Sequence, residues 1–415
     1  MRAMNRHLDR LGGEDAAWLR MEDATNPMVV SGVLELGGTL PLADVARRLE
    51  ERLVTNPRFR SRIVESRLGV PRWQPDDGFD LKRQVEHVAL SEGEDVRVFI
   101  GKAVSELLDR ERPLWRVYVI DRPHSGTTLL FRVHHALADG FALLAVLLSL
   151  CDEERSPTIA VPSANAAAGK PMGYASSAFR LLTLSSDPIT ALKGPLGRRK
   201  GVAWTAPLSL DQVKHAAHRM NATVNDVLVS VIAGALRRVL AKGGETPESL
   251  RAMVPVSLRL DVNSLDRGGN HFGIVVLDLP IGIADSRARV GAVRKSMNKL
   301  KAAREAVVAH VILRALGWAP RFVEDLGVAF FARTASLVLT NVPGPKEILH
   351  FANVPVDRVL FWVPQSARMG LGISIFSYAG MVTIGVMADV GLIDDPDLLA
   401  REVEEELTAV LADSM

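Results

Sequence analysis

Two adjacent histidines, His134 and His135, are followed by Ala136-Leu137-Ala138 and then Asp139-Gly140, and this segment is the part of the chain best equipped for proton chemistry. The histidines close a run, Thr127 to Val133, that reads as strand. On extended backbone neighbouring side chains leave opposite faces. Only one imidazole can therefore meet a given cleft while the other is held by the core. An imidazole suits general-base work because its unperturbed pKa, about 6.5, lies close to physiological pH. Asp139 can orient an imidazole, cap the apolar helix that follows it, or pair with a buried arginine. Gly140 permits close or unusual backbone geometry. Taken singly, a histidine at a strand end and an aspartate before a helix are more often structural than catalytic. A metal site is disfavoured, because the paired histidines diverge and no third strong ligand is arranged nearby. Serine-hydrolase chemistry lacks its G-x-S-x-G turn.

Such residues need a strand to carry them and a helix to close behind them. Met28 to Glu35 reads as strand, and Pro41 to Leu53 as helix, with Leu42, Val45 and Leu49 at helical spacing. Gln84 to Ala89 and Asp95 to Leu108 repeat that strand-then-helix pattern. Trp115 to Ile120 and Thr127 to Val133 are predicted to pair across the loop Asp121 to Gly126. The helix Asp139 to Leu150 is apolar on nearly every side and is expected to be buried. From Glu153 to Lys200 the texture changes, with Pro157, Pro162, Pro171, Pro188 and Pro195, a run of small residues, and a short helix expected near Tyr174 to Leu184. Strands follow at Val202 to Ala206, Leu250 to Val256, Phe272 to Leu279, Leu337 to Thr340 and Arg358 to Val363. Between them Ser209 caps a helix toward Arg219, and Thr223 opens a longer one, Val224 to Leu240. Further helices are expected over Asp285 to Arg304 and Pro396 to Ala412.

A chain of 415 residues is too long for one ordinary core, so two α/β domains are expected: residues 1–155, a crossover at 156–200, and residues 201–415. An apolar content of 48% with 24% charged residues describes a globular protein. A formal charge of +2 and the lack of any nucleic-acid signature point away from DNA and RNA. One cysteine, Cys151, excludes an internal disulfide and a cysteine-cluster metal site, and reads as a buried thiol in a reducing compartment. Met1 to Arg20 lacks the apolar core of a secretory signal, so a cytoplasmic protein is expected. Met369 to Ala388 carries no charge, and its length would admit a spanning helix. Its interior reads instead as two strands joined at Ala379-Gly380. Peripheral contact with a membrane or lipid-droplet surface stays open, because hydropathy windows detect spans and not exposed patches.

The seven residues His134 to Gly140 match the HHxxxDG signature, and the chain resembles the bacterial wax ester synthase/diacylglycerol acyltransferase family. That family lies within the wider group related to chloramphenicol acetyltransferase and condensation domains. Further similar motifs run through the chain: Leu108-Asp109-Arg110-Glu111-Arg112-Pro113-Leu114-Trp115, Thr223-Val224-Asn225-Asp226-Val227, Met253 to Arg259, Gly269-Asn270, Thr340-Asn341-Val342-Pro343-Gly344-Pro345 and Ser377-Tyr378-Ala379-Gly380. Departures occur at Pro27-Met28-Val29, where the family often has a histidine after Pro-Met, and at Leu90-Ser91, where it usually reads Leu-Pro.

The resemblance implies two chloramphenicol acetyltransferase-like sandwich domains with mixed sheets and an active site at their interface. It implies an O-acyltransferase that moves a fatty acyl group from acyl-CoA to diacylglycerol or a long-chain alcohol. His135 would be the general base, His134 a buried support, and Asp139 the residue holding the loop, with Arg259 as a candidate partner. Asn270, just before a predicted strand, either donates to the substrate or oxyanion or belongs to an ordinary Gly-Asn turn; Asn341 would satisfy backbone groups near the cleft, and Gly140 would support the site. CoA would lie in a groove at the interface with its acyl chain in an apolar channel. Arg198, Arg199 and Lys200 are either one possible phosphate contact or a solvated charge run. Acyl-CoA is a co-substrate, no cofactor or metal is expected, and the protein is a monomer or homodimer. Two alternatives stand beside this reading. One is a condensation-type acyltransferase using a carrier-bound acyl group or a specialised alcohol; the other is a non-catalytic lipid-binding protein.

Overall fold

The computed structural model describes residues 10–65, 71–137, 139–153, 183–257, 272–302, 308–311, 321–365 and 368–413. In chain order its helices are α1 (Gly13–Met21), α2 (Leu42–Arg52), α3 (Val96–Val104), α4 (Gly140–Ser149), α5 (Leu210–Arg219), α6 (Val224–Lys242), α7 (Ser286–Ala302), α8 (Arg321–Thr334) and α9 (Pro396–Asp413). The strands of its first half are β1 (Val29–Leu36), β2 (Ser61–Val64), β3 (Arg72–Pro75), β4 (Val85–Ala89), β5 (Trp115–Arg122) and β6 (Gly126–His134). Those of its second half are β7 (Lys200–Trp204), β8 (Leu208–Ser209), β9 (Leu250–Ser257), β10 (Phe272–Leu279), β11 (Leu337–Pro343), β12 (His350–Phe351), β13 (Val354–Trp362), β14 (Leu371–Tyr378) and β15 (Met381–Asp389).

Local chemistry starts the helices where the sequence predicts. Asp95, Asp139 and Ser209 each accept a backbone N–H at the head of α3, α4 and α5. Thr223 and Asp226 form a reciprocal capping box on α6. The uncharged stretch is the hairpin β14–β15, with Ala379 at φ 49° and Gly380 at φ 78°. Two consecutive left-handed residues make the turn whose twist suits a two-residue hairpin. Among the described residues no helix is long and apolar enough to cross a membrane.

The strands assemble into two mixed sheets. The first runs β12-β13-β1-β6-β5-β4 and the second β10-β9-β11-β14-β15-β7, with β8 on the margin of β15. In the first, β4 and β5 are parallel and the other neighbours antiparallel. In the second, β11 runs parallel to both β9 and β14. Residues 350–362 fall within the expected C-terminal unit, yet they complete the N-terminal sheet. Strand β1 has apolar side chains on both faces and is buried throughout, so its backbone needs a partner on each side. Strand β13 supplies one and β6 the other.

The sheets meet through a shared apolar layer. Val33, Leu360 and Trp362 of the first pack with Val202, Trp204 and Met387 of the second, and α3 closes the edge. Gly385 makes the approach possible: a Cβ there would stand 2.8 Å from the Trp362 indole nitrogen. Each sheet also has its own core on its other face, under α4 in the first half and under α6 and α9 in the second.

The sequence reading does not contain α1, the small β2–β3 hairpin, the two-residue strands β8 and β12, or α8. The charge run also differs. Arg198 and Arg199 are exposed, but Lys200 is buried, with its Nζ 2.6 Å from Asp389 Oδ2. It begins β7 beside β15, where only an ion pair makes a buried ammonium tolerable. The helix expected near Tyr174 lies almost wholly outside the described residues.

Candidate active site

Strand β6 ends at His134, which pairs with Val29 of β1, and the chain turns immediately afterwards. The His134 N–H donates to Leu114 O at 2.9 Å, and the His135 N–H donates to Met28 O at 2.8 Å. The two rings then part. His134 is fully buried; its Nδ1 accepts the Ala136 N–H at 3.0 Å. With Nδ1 occupied by the backbone, only Nε2 is left to meet another group. Its Nε2 faces Glu22 Oε1 at 3.4 Å, the outer edge of hydrogen-bond range. His135 lines a cleft between the two sheets instead, and its ring stacks on Trp18, with centroids 4.2 Å apart and planes 24° from parallel.

Asp139 and Gly140 complete the presenting loop. Asp139 Oδ1 accepts the Ala142 N–H at 2.9 Å, which caps α4. Arg58 grips the same loop from outside by donating to Leu137 O at 3.0 Å. Gly140 lies under the cleft floor; a Cβ there would stand 3.3 Å from Val363 Cγ1. The opposite wall comes from β9, β10 and β11, through Met253, Ile274, Val338, Thr340 and Asn341. The cleft holds about 640 Å³ of space, and most of its lining is apolar. Asn341 is tied back, its Nδ2 donating to Asn225 Oδ1 at 2.6 Å. Asn341 therefore bridges β11 to the head of α6 by a side-chain pair, where backbone groups were expected to be its partners. Arg259 and Asn270 lie outside the described residues.

Three contributors carried no readable signal in the sequence. Trp18 and Glu22 stand four residues apart at the end of α1, so one helix face addresses both histidines. Glu22 Oε1 accepts the Met28 N–H at 3.2 Å, and Arg110 donates to Glu22 Oε2 at 3.2 Å. Burial alone would push the Glu22 carboxyl upward, but His134 and Arg110 outweigh it and hold it below the ordinary carboxylate range. Thr340 is the third. It shares a face of β11 with Val338, is 3% exposed, and its hydroxyl has no hydrogen-bond partner among the described residues. On the wall of the cleft that hydroxyl is free to donate to a bound group. Cys151 is no such group: burial pushes its thiol up to about 12, which leaves it inert at neutral pH.

The arrangement can take a proton at His135, keep the resulting cation beside an aromatic face, and offer a hydroxyl from the far wall. Known proteins are similar to the chain over most of its length. Residues 11–186 match the wax ester synthase/diacylglycerol acyltransferase catalytic domain, and residues 268–410 match the WS/DGAT C-terminal domain. A putative diacylglycerol O-acyltransferase of Mycobacterium tuberculosis is 29% identical, with 94% of this chain and 87% of the relative covered. A probable diacylglycerol O-acyltransferase, tgs1, of the same organism is 27% identical over 96% of this chain and 95% of its own. Among solved structures, the wax ester synthase/diacylglycerol acyltransferase from Marinobacter aquaeolei VT8 superposes with a TM-score of 0.74 at 22% identity, covering 98% of this chain and 99% of that one. The first condensation domain of the CDA synthetase gives a TM-score of 0.68 at 17% identity, covering 97% and 96%. At those identities the two structures establish a shared fold.

Proposed function

The chain belongs to the wax ester synthase/diacylglycerol acyltransferase family of O-acyltransferases, and from that premise we propose that it transfers a fatty acyl group from acyl-CoA to diacylglycerol or a long-chain alcohol, with His135 as the general base. The observation that carries this is the divergence of the two imidazoles. One is buried and tied to the backbone; the other faces an apolar cleft between the sheets.

An alcohol is a weak nucleophile until its proton has a destination. His135 takes that proton as the oxygen attacks the thioester carbonyl, and a tetrahedral intermediate forms. The carbon–sulfur bond then breaks, and the imidazolium returns its proton to the departing thiolate. An aligned base of this kind contributes about 10²–10⁴-fold. Trp18 favours the imidazolium by cation–π attraction, worth roughly 2 kcal/mol when desolvated. The Thr340 hydroxyl donates to the oxyanion, a type of contact whose loss typically costs about 10²–10³-fold. Asp139 acts indirectly, by anchoring α4 and the loop. No covalent acyl-enzyme is required.

The test is ester formation from palmitoyl-CoA with a diacylglycerol or hexadecanol, followed as product and released thiol. His135→Ala is expected to lower turnover by about 10²–10⁴-fold while the fold persists. Ester formation only from carrier-bound acyl groups would transfer the reading to the condensation type. Because both acceptors are lipids, the protein is expected to meet a membrane or droplet surface peripherally.

A further inference from the structure

Arg58 reaches the loop after His135 from 79 positions earlier in the chain than the group it meets, its Nη1 donating to Leu137 O at 3.0 Å. Both ends of that reach are fixed. Arg58 sits in a single turn of 3-10 helix, Pro57–Arg60, capped by Asn56, whose side chain accepts the Arg58 N–H at 3.1 Å. The next residue, Phe59, is buried, and its carbonyl accepts the Trp115 indole N–H at 2.8 Å. Trp115 begins β5 opposite Val133, the residue before His134 on β6. The segment from His134 to Leu137 is thus held at the strand it leaves and again at Leu137, and both holds lead back to the same turn.

The guanidinium is itself steered. Its Cζ lies over the Trp73 ring, 5.6 Å from the centre, within cation–π range. Trp73 is buried and belongs to β3, which pairs with β2 as a separate two-stranded sheet. A planar guanidinium resting on an aromatic face keeps its N–H groups in one plane, so the stacking aims the donor as well as attracting it.

We propose that Arg58 is a positioning residue for His135: held on Trp73, it fixes the Leu137 carbonyl and with it the turn that aims the imidazole into the cleft. This rests on the acyltransferase reading, with His135 as base, and adds to it a residue from outside the HHxxxDG segment. Leu137 is 2% exposed, so its carbonyl, deprived of Arg58, either stays buried without that donor or turns to find another. A turn there is passed on. The Leu137 N–H donates to His134 O and the Ala136 N–H to His134 Nδ1, so the peptides on either side of His135 move with it. Displacing a catalytic group by about 1 Å can cost about 10²-fold in rate. Arg58 acts through a backbone hydrogen bond, so it sets where the base stands and not how tightly the base holds its proton.

Arg58→Met keeps most of the stem and removes the donor, whereas Arg58→Lys keeps a donor on a stem of similar reach. Ester formation from palmitoyl-CoA and hexadecanol is measured per folded molecule. Hydrogen exchange of the peptide spanning residues 135–143 is followed beside it by mass spectrometry. Arg58→Met is expected to lower kcat by up to about 10²-fold with KM for palmitoyl-CoA unchanged. It should speed exchange in that peptide but not in the β14–β15 hairpin, and leave the pH inflection of kcat/KM in place. Arg58→Lys is expected to recover most of the rate. Should Arg58→Met fail to fold, Arg58→Gln takes its place, since its side chain ends two bonds short of the Arg58 Nη1. An unchanged kcat overturns the proposal, as does a fall that Arg58→Lys does not recover or that comes without faster exchange. A shifted pH inflection would make the role electrostatic and overturn it too. No ester from wild type, or normal turnover in His135→Ala, overturns the underlying acyltransferase reading instead.

Discussion

Helices α4 and α6 each roof one of the two sheets with apolar side chains, and they are held in opposite ways. Every residue of α6 from Asp226 to Leu236 is buried. Its Gly234 lets α9 come so close that a Cβ would fall 2.4 Å from the Glu406 carboxyl carbon. Glu406 in turn binds Arg289 of α7 and Arg238 of α6, so the three helices are locked by buried charge as well as by packing. Helix α4 has one capping aspartate, an apolar face and a cavity along that face. The comparison teaches where each half spends its order. The second half is tightly packed, and the first keeps unfilled volume close to His135.

The largest expected effect separates catalysis from folding. His135→Ala should reduce ester formation by about 10²–10⁴-fold, with the urea midpoint unchanged; normal turnover would remove the proposed base. Next, Glu406→Ala should cost about 3–5 kcal/mol of unfolding free energy, because Arg289 is left buried and uncompensated. Turnover per folded molecule should not change. A smaller pair of substitutions probes packing directly. Ile232→Ala in α6 should cost about 2–5 kcal/mol, while Leu147→Ala in α4 should fall at or below the lower end of that range, since part of its surroundings is already empty. Equal losses in urea denaturation would erase the contrast between the helices. Thr340→Val keeps the shape and removes the hydroxyl. A fall of about 10²–10³-fold in kcat at constant melting temperature is expected, with recovery in Thr340→Ser; an unchanged kcat would remove Thr340 from the reaction.

The smallest effect is one of pH. Glu22 is held below its ordinary range, so its contribution to stability is complete above its unfolded pKa, near 4.3, and is lost as pH falls through the lower folded value. Wild type should lose more melting temperature between pH 6 and acid than Glu22→Gln does. Parallel losses would mean that the Arg110 and His134 contacts do not stabilise the carboxylate.

Much of the frame was legible in the sequence. Alternation marked β5, β6 and the β14–β15 hairpin, and side-chain caps marked the heads of α4, α5 and α6, because these signals are local. Helix α1 escaped because its charges and small residues hide a face that matters only once β6 has brought two histidines beside it. Strand β13 was read from Arg358 although it begins at Val354, since Asp357 and exposed Pro355 interrupt the apolar pattern at an edge. Within the site, the HHxxxDG segment could be quoted from sequence, but the assignment of one ring to the core and one to the cleft needed geometry. Trp18, Glu22 and Thr340 could not be found in advance. Their meaning lies in neighbours far along the chain, and an orphaned hydroxyl has no sequence signature. The cavity along α4 was equally invisible, because α4 and α6 both read as apolar helices and differ in what packs against them.

The return of β13 into the first sheet has a consequence for how the protein is made. Val33 pairs with Leu360 on one side and Leu130 on the other, so β1 waits for a partner that is synthesised near the end of the chain. Until then the N-terminal half presents a long apolar strand with an open edge, the kind of surface that recruits other chains. Formation of the catalytic half is therefore a late event of high contact order, slow by comparison with the helices of the second half. Truncation after the crossover would yield an aggregating fragment and not a smaller enzyme.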